Sequence, residues 1–420
     1  MTTSRELSVF ILQDILENKV FASEAKNKHL PKDYQETAFV NMLLQTGLRH
    51  LVYIKSVIKN YAQKKFPQNA RVAHYSLILG TAELLYMNTP NYAVINSYVD
   101  ITKKHTNKYI AGFTNAVLRK IATEKDRFKS EDTGIFFPPE FRKLLSSSYN
   151  KKTINFIEQA SIKEPFLDIS TITDFNLPQS TILPLGGLRL KNNGNITQIE
   201  GYQQGLWWVQ DFSSAFAVNT LNNIKDKRVL DLCAAPGGKT AQLIAKGAKV
   251  TALDISEERL KRLTENLSRL NLHTEATICA DATDWLTNYH GEPFDIILLD
   301  APCSATGTLR RHPELVHIKK SSDVETVLPI QKQLLEQSAN TLKKGGLLIY
   351  CTCSLSKQEG EQQISSFLQK HPDFKTHQVS IPSELSVLLT PEGWIRILPS
   401  HLTSLGGADG FFISILDKVN

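Results

Sequence analysis

Residues 228–240, RVLDLCAAPGGKT, constrain this 420-residue chain more than any other stretch. A β-branched and aliphatic run takes in an acidic residue, gives way to a small-residue turn with two glycines, and is followed by helix-compatible residues. That order predicts a strand, a tight loop and a helix N-terminus, the place where an α/β sheet binds its cofactor. Two phosphate readings fail on spacing. A phosphate loop needs a glycine five residues ahead of its Gly-Lys pair, where this chain has Cys233, and a dinucleotide fingerprint needs a third spaced glycine beyond Gly237 and Gly238. What remains is Cys233, Ala234, Ala235, Pro236, Gly237 and Gly238 running into Lys239. Such a loop admits a bulky ligand close to the backbone, with a helix N-terminus suited to a carboxylate.

S-adenosylmethionine brings such a carboxylate, and the following segments supply the rest of a nucleoside site. Residues 249–255, KVTALDI, read as a strand ending in Asp254, placed where an acid meets ribose hydroxyls. Asp281 follows the strand TICA and is expected beside the adenine. The unbroken apolar run FDIILLD, residues 294–300, predicts a strand buried on both faces. It delivers Asp300 into the loop APCSATG. Residues 346–350, GLLIY, begin another strand that runs into Cys351, Thr352, Cys353 and Ser354. Helices are expected at 239–245, 257–270, 323–342 and 357–370, with an amphipathic helix at 210–221 leading in. This alternation predicts a mostly parallel sheet covered on both faces. GWIRILP and DGFFISIL then read as an antiparallel edge.

The first 128 residues have a different rhythm. Leu7, Phe10, Ile11 and Ile15 keep helical spacing, as do Ala38, Met42, Leu43, Leu51, Ile54, Val57 and Ile58. Further helices are expected at 73–85, stopped by Pro90, and at 93–104 and 111–121. Charge divides along the same line: residues 1–150 hold 21 Lys and Arg against 13 Asp and Glu, a net of +8, leaving −2 for the remainder. A basic accessory beside a near-neutral enzyme suits a polyanion. RFKSEDTGIFFPPE, residues 127–140, reads as a linker. Beyond it, a helix and the strand-like segments EPFLDIS, STILP, LRL and ITQIEGY form a small lobe that ends at Trp207 and Trp208, a pair expected to pack rather than bind. Five cysteines without metal-ligand spacing argue against a disulfide framework and structural zinc. No apolar run reaches membrane-spanning length, and the N-terminus lacks a cleavage site, so a cytoplasmic protein is expected.

DLCAAPGGKT, LDAPCSATGTLRRHPE and YCTCS together resemble the RNA cytosine-C5 methyltransferases of the RsmB/Nop type. LILGTAELLYMNTPNYAVINSYVDI and FTNAVLRKI are similar to the NusB-like helical domain that precedes the catalytic part in that family. The resemblance implies an all-α NusB-like RNA-binding domain at 1–128, a small α+β RNA-binding lobe at 138–208, and an α/β, Rossmann-like class I methyltransferase domain at 209–420. It implies S-adenosylmethionine as methyl donor, no metal, and 16S rRNA or a small-subunit assembly intermediate as partner. A monomer is expected, with neither DNA nor membrane bound.

The chemistry explains the residue types. Cytosine C5 is too weak a nucleophile to take a methyl group unaided, so a nucleophile must first add at C6. A thiolate both adds and departs well. By resemblance Cys353 is that nucleophile, Cys303 assists release of the product, and Asp300 meets the N3/N4 edge of the base while lying near the cofactor. Cys351 stands where the family usually has Ser or Ala, and strand alternation would put it on the same face as Cys353. Arg310, Arg311 and His312 are candidate RNA-backbone contacts. The base must leave its stack, which favours a single-stranded or splayed target. The same chemistry on tRNA, and a non-catalytic RNA-binding or antitermination factor, are the alternatives.

Overall fold

Among the described residues, twelve strands carry the architecture of the chain's larger part: β1 (Leu167–Thr171), β2 (Ser180–Ile182), β3 (Leu188–Leu190), β4 (Trp207–Val209), β5 (Arg228–Leu232), β6 (Lys249–Asp254), β7 (Ala276–Cys279), β8 (Phe294–Asp300), β9 (Leu342–Thr352), β10 (Phe374–Thr376), β11 (Ile395–Ile397) and β12 (Phe411–Lys418). The structure is a computed structural model and describes every residue except 1, 63–65, 67, 174, 192, 193 and 420. Two compact units emerge, one of residues 1–163 with 309–320, the other of 164–308 with 321–420.

The first unit is helical. Its central helix, Arg71–Tyr86, is buried on nearly every side, and Gly80 is the reason two neighbours come so near. A Cβ there would lie 3.0 Å from a Leu118 methyl and 3.1 Å from the Tyr98 ring. Glu83, fully buried on the same helix, accepts from Arg5 Nε at 2.9 Å and from the Tyr98 hydroxyl at 3.2 Å. The helix ends at Tyr86, and Pro90 serves as the N-cap of the next helix, Asn91–His105, instead of stopping the previous one. Residues 127–140 are no solvated linker. They begin inside the helix Lys125–Glu131, and Phe136 and Phe137 are buried with their N–H groups donating to Glu158 Oε1.

The unit is completed by a strap at 309–320. Arg49 donates to the carbonyls of Arg310, at 2.9 Å, and Ser161, at 3.2 Å. His317 Nε2 donates to Leu48 O at 2.8 Å, and burial lowers this imidazole to about 4. Glu314, fully buried, accepts from the N–H of Ala22 at 3.2 Å. Arg310 itself is only 1% exposed, so the expectation that it contacts RNA fails for this side chain, while His312 remains exposed.

The second unit holds two sheets. The small one has the order β2-β3-β1-β4 and is antiparallel throughout. Its fourth strand is formed by Trp207 and Trp208, not by ITQIEGY, which forms a single 3-10 turn at Ile196–Gln198. Both tryptophans are buried, as their expected packing role requires. Asp168 and Arg189 make a buried two-pronged pair at 2.6 Å, and Arg189 also donates to Leu405 O and Gly407 O. That one guanidinium joins the small sheet to the loop ahead of β12.

The large sheet runs β10-β12-β9-β8-β5-β6-β7, with β11 on β12. The five strands from β5 to β9 are mutually parallel, and β12 is antiparallel to β9, β10 and β11. Alternation along the strands fills two cores. Val229, Val250, Ile296, Leu298, Ile349 and Cys351 face one side; Leu230, Leu232, Leu253, Ile297, Leu299 and Tyr350 face the other. The expected amphipathic helix at 210–221 is shorter, Phe212–Asn219 with Asp211 as its cap, and it is buried along most of its length within the first of these cores. The helix expected from 357 begins only at Glu361.

Candidate active site

Parallel pairing brings the C-terminal ends of β5 to β9 to one edge of the sheet. β6 and β7 continue outward from β5 on one side, β8 and β9 on the other, so the winding reverses at β5. A crevice opens at such a switch point. The loop after β5 turns sharply: Ala234 N–H donates to Leu253 O at 3.0 Å, Ala235 N–H to Asp254 Oδ2 at 3.1 Å, and Gly237 N–H to Ala234 O at 2.9 Å. Gly237 has φ +97°, and a Cβ there would sit 2.8 Å from Leu263, so both conformation and space demand glycine. Cys233 also has positive φ, 59°, and burial pushes its thiol up to about 12.

The acids behind this loop differ in how they are held. Asp254 is buried, accepts from Ala235 N–H and Ser256 N–H, and lies 3.4 Å from Arg259. Asp281 is exposed and caps the helix Ala282–Thr287, accepting from Thr283 N–H at 2.8 Å and Asp284 N–H at 3.2 Å. Those bonds, led by the one from the Thr283 hydroxyl, hold its carboxyl below the usual range. It also lines an open cavity of about 370 Å³ with Ala280, Trp285 and Tyr289.

Asp231, an acid within β5 that the sequence reading gave no role, is fully buried. Thr240 Oγ1 donates to its Oδ2 at 2.6 Å, while Oδ1 is buried without a hydrogen-bond partner among the described residues. Burial pushes its carboxyl up to about 7. An unpaired carboxylate oxygen beneath a glycine loop fits a ligand that brings an ammonium group, as the amino-acid end of S-adenosylmethionine does.

Lys239, expected at the helix start, is 6% exposed rather than solvated, and its Nζ lies 2.7 Å from Asp300 Oδ2. Burial alone would lower this ammonium; the Asp300 carboxylate outweighs it and holds the group above the ordinary lysine value. Asp300 keeps 35% of its side chain open. One carboxylate oxygen is therefore fixed by lysine and the other is not committed to that pair.

The thiols sort themselves by strand ends. β9 stops at Thr352, so Cys351 still belongs to the sheet, paired in register with Asp300, and is fully buried in a core. Cys353 lies beyond the strand, where Gly307 N–H donates to its carbonyl at 2.9 Å. Its Sγ is 3.4 Å from Cys303 Sγ. The hydrogen bond with Cys353, reinforced by burial, holds the Cys303 thiol well above the ordinary range. A Cβ on Gly307 would overlap Gly410 O at 1.9 Å, so only glycine lets the two thiol loops and the turn ahead of β12 meet. Cys279 is exposed and donates weakly to Ile255 O. The described residues include no cluster of three or more His, Cys, Asp or Glu able to hold a metal, and no helix long and apolar enough to cross a membrane.

Comparison with known proteins agrees with this architecture. Residues 218–417 match the model of the family described as 16S rRNA methyltransferase RsmB/F, and residues 2–123 match the NusB family. Ribosomal RNA small subunit methyltransferase B of Vibrio cholerae serotype O1 is 32% identical over 414 residues, covering 94% of this chain and 92% of that protein. Among solved structures, PH0851 has a TM-score of 0.73 at 22% identity, covering 100% of this chain and 99% of its own. NSun6 from Pyrococcus horikoshii with SFG has a TM-score of 0.56 at 21% identity, covering 68% of this chain and 99% of its own. These structural likenesses speak to the fold alone.

Proposed function

The chain belongs to the RsmB/F family of 16S rRNA methyltransferases, and from that premise we propose that it methylates C5 of one cytosine in 16S rRNA through a covalent Cys353–C6 adduct. The observation that carries this reading is the 3.4 Å approach of Cys353 and Cys303, which arrive on separate loops at the open end of the sheet. Two thiols so placed suit a reaction with two thiol-dependent moments, addition and release.

When bound, S-adenosylmethionine supplies an electrophilic methyl group. Asp231 would take its ammonium, Asp254 its ribose and Asp281 the adenine side, with Cys233 to Lys239 forming the cradle. Cys353, as thiolate, forms a bond to C6 of cytosine, and C5 becomes enamine-like and nucleophilic. The carboxylate of Asp300, oriented by Lys239, meets the N3/N4 edge and stabilises the charge that the ring takes up. C5 takes the methyl group with S-adenosylhomocysteine as the leaving group; the C5 proton then passes to water, its bonding pair restores the C5–C6 double bond, and Cys353 departs from C6 as thiolate. Cys303, whose proton is firmly held, assists that release. Strands in a sheet lie roughly 4.8 Å apart, so the end of β9 is roughly 10 Å from β5, a gap that a base ring and a methyl donor together fill.

In this reading residues 1–128 and 138–208 bind the RNA and residues 209–420 perform the chemistry, in the cytoplasm. The net charge of +8 over residues 1–150 favours an RNA role for the helical part. The decisive experiment is labelled methyl transfer from S-adenosylmethionine to RNA from cells lacking the gene, with wild-type protein and Cys353→Ala side by side and the modified base mapped. Label at one cytosine of 16S rRNA, absent with the variant, is expected. Label in tRNA would overturn the address, and no label in free RNA or in small-subunit particles would favour a binding factor.

A further inference from the structure

We propose that Glu359 is the positioning residue that holds Cys303 and Cys353 in register, by bonding to the residue that follows each thiol. The proposal rests on the reading that these two thiols carry the reaction.

Glu359 is fully buried and belongs to no strand or helix. Its Oε2 accepts from Ser304 N–H at 2.8 Å and Gln331 Nε2 at 3.2 Å; its Oε1 accepts from Ser304 Oγ at 2.5 Å and Ser354 Oγ at 2.6 Å. Ser304 follows Cys303 and Ser354 follows Cys353. The same Gln331 amide also donates to Pro302 O at 2.9 Å, so the loop is held on both sides of Cys303. The backbone of Glu359 is fixed in turn, its carbonyl accepting from the Tyr350 hydroxyl at 2.7 Å.

None of these four donors is a cation. A buried carboxylate is costly unless its lone pairs are used, and here each oxygen has two partners. Because an ionised carboxylate only accepts, it also dictates the direction of both serine hydroxyls. Ser354 Oγ, with its proton committed to Glu359, is left to accept from Ser356 N–H at 3.0 Å. One anion thereby sets the direction of a hydrogen-bond network spanning both thiol loops. Its charge also adds to the influences that keep Cys303 protonated.

Two substitutions in the full-length protein separate geometry from charge. Glu359→Gln can turn its amide NH₂ toward the two hydroxyls, which can accept, and keep its carbonyl toward Ser304 N–H and Gln331. Glu359→Ala removes the anchor. Each is assayed for methyl transfer and for closure of the Cys303–Cys353 disulfide by diamide, followed by mass spectrometry. The expected result for Glu359→Ala is kcat lower by ~100-fold, the loss a 1 Å misplacement can cause, with KM for S-adenosylmethionine within about twofold. Disulfide closure should slow about tenfold or more, and Glu359→Gln should recover most of both. Wild-type rates of closure and turnover in Glu359→Ala would overturn the proposal, as would loss of turnover with closure at the wild-type rate. If Glu359→Ala does not fold, Ser354→Ala, which removes the donor beside Cys353, takes its place: closure and turnover slowed together support the clamp, and wild-type closure, with or without loss of turnover, refutes it. Closure does not depend on methyl transfer, so an active Cys353→Ala would sink the proposed reaction while leaving this test readable.

Discussion

The two sides of the crevice each bury a carboxylate completely and treat it in opposite ways. On the β5 side Asp231 has one oxygen bonded to Thr240 and the other without a partner among the described residues, and burial lifts its carboxyl to about 7. On the β8–β9 side both oxygens of Glu359 are saturated by neutral donors. An underpaired acid suits a charged partner; a saturated one is a joint. The difference says which wall of the crevice waits for a ligand and which is finished before one arrives.

The severest way to break this contrast is to remove the chemistry from the finished wall. Cys353→Ala should lower methyl transfer by about 10³-fold or more, since a lost nucleophile leaves only binding and electrostatics. Turnover retained by Cys353→Ala but lost in Cys351→Ala would move the reacting thiol into the core. Next comes the group at the seam, where Asp300→Ala should cost about 10²–10³-fold in kcat, the range for one preorganised electrostatic group. A loss confined to KM would reduce Asp300 to a binding contact.

The waiting wall is probed by pH. Burial raises the Asp231 carboxyl from its ordinary 3.8, which the unfolded chain keeps, to about 7 in the folded protein. Its stabilising contribution is thus complete below about 4 and is lost as pH rises to about 7, where the unfolded chain has released a proton that the native state still holds. Ligand-free protein should lose about 2–4 kcal/mol of stability across that interval from this group. Binding of an ammonium ligand requires the ionised form, so the affinity for S-adenosylmethionine should rise about tenfold from pH 6 to pH 8. Calorimetric titration of wild-type and Asp231→Asn checks both slopes; a pH dependence that persists in the variant would assign it to another group. The smallest effect is expected from Cys351→Ala, with turnover within about twofold and stability lower by about 1 kcal/mol, as for a small core side chain.

Much of this was legible because local chemistry and fold agree. The strand, glycine turn and helix at 228–240 all appear where their residue types place them, and the aliphatic run at 294–300 is the buried strand β8 in full. Alternation could not separate Cys351 from Cys353, because it holds only inside a strand and β9 ends between them. Glu359 had no local signal. It lies in a charged run that reads as the start of a helix, and its partners Ser304 and Gln331 are distant in sequence. Asp231 looked like one more acid at a strand end, and only burial distinguishes it.

The strap at 309–320 has a consequence for the order in which the protein is made. A ribosome that has reached residue 163 has delivered every helix of the first unit's N-terminal part, yet the carbonyl of Arg310 that Arg49 needs has not been synthesised. Until the strands through β8 have emerged, Arg49 meets only some of its acceptors. A fragment cut after residue 163 would be this unfinished intermediate, kept permanently one piece short.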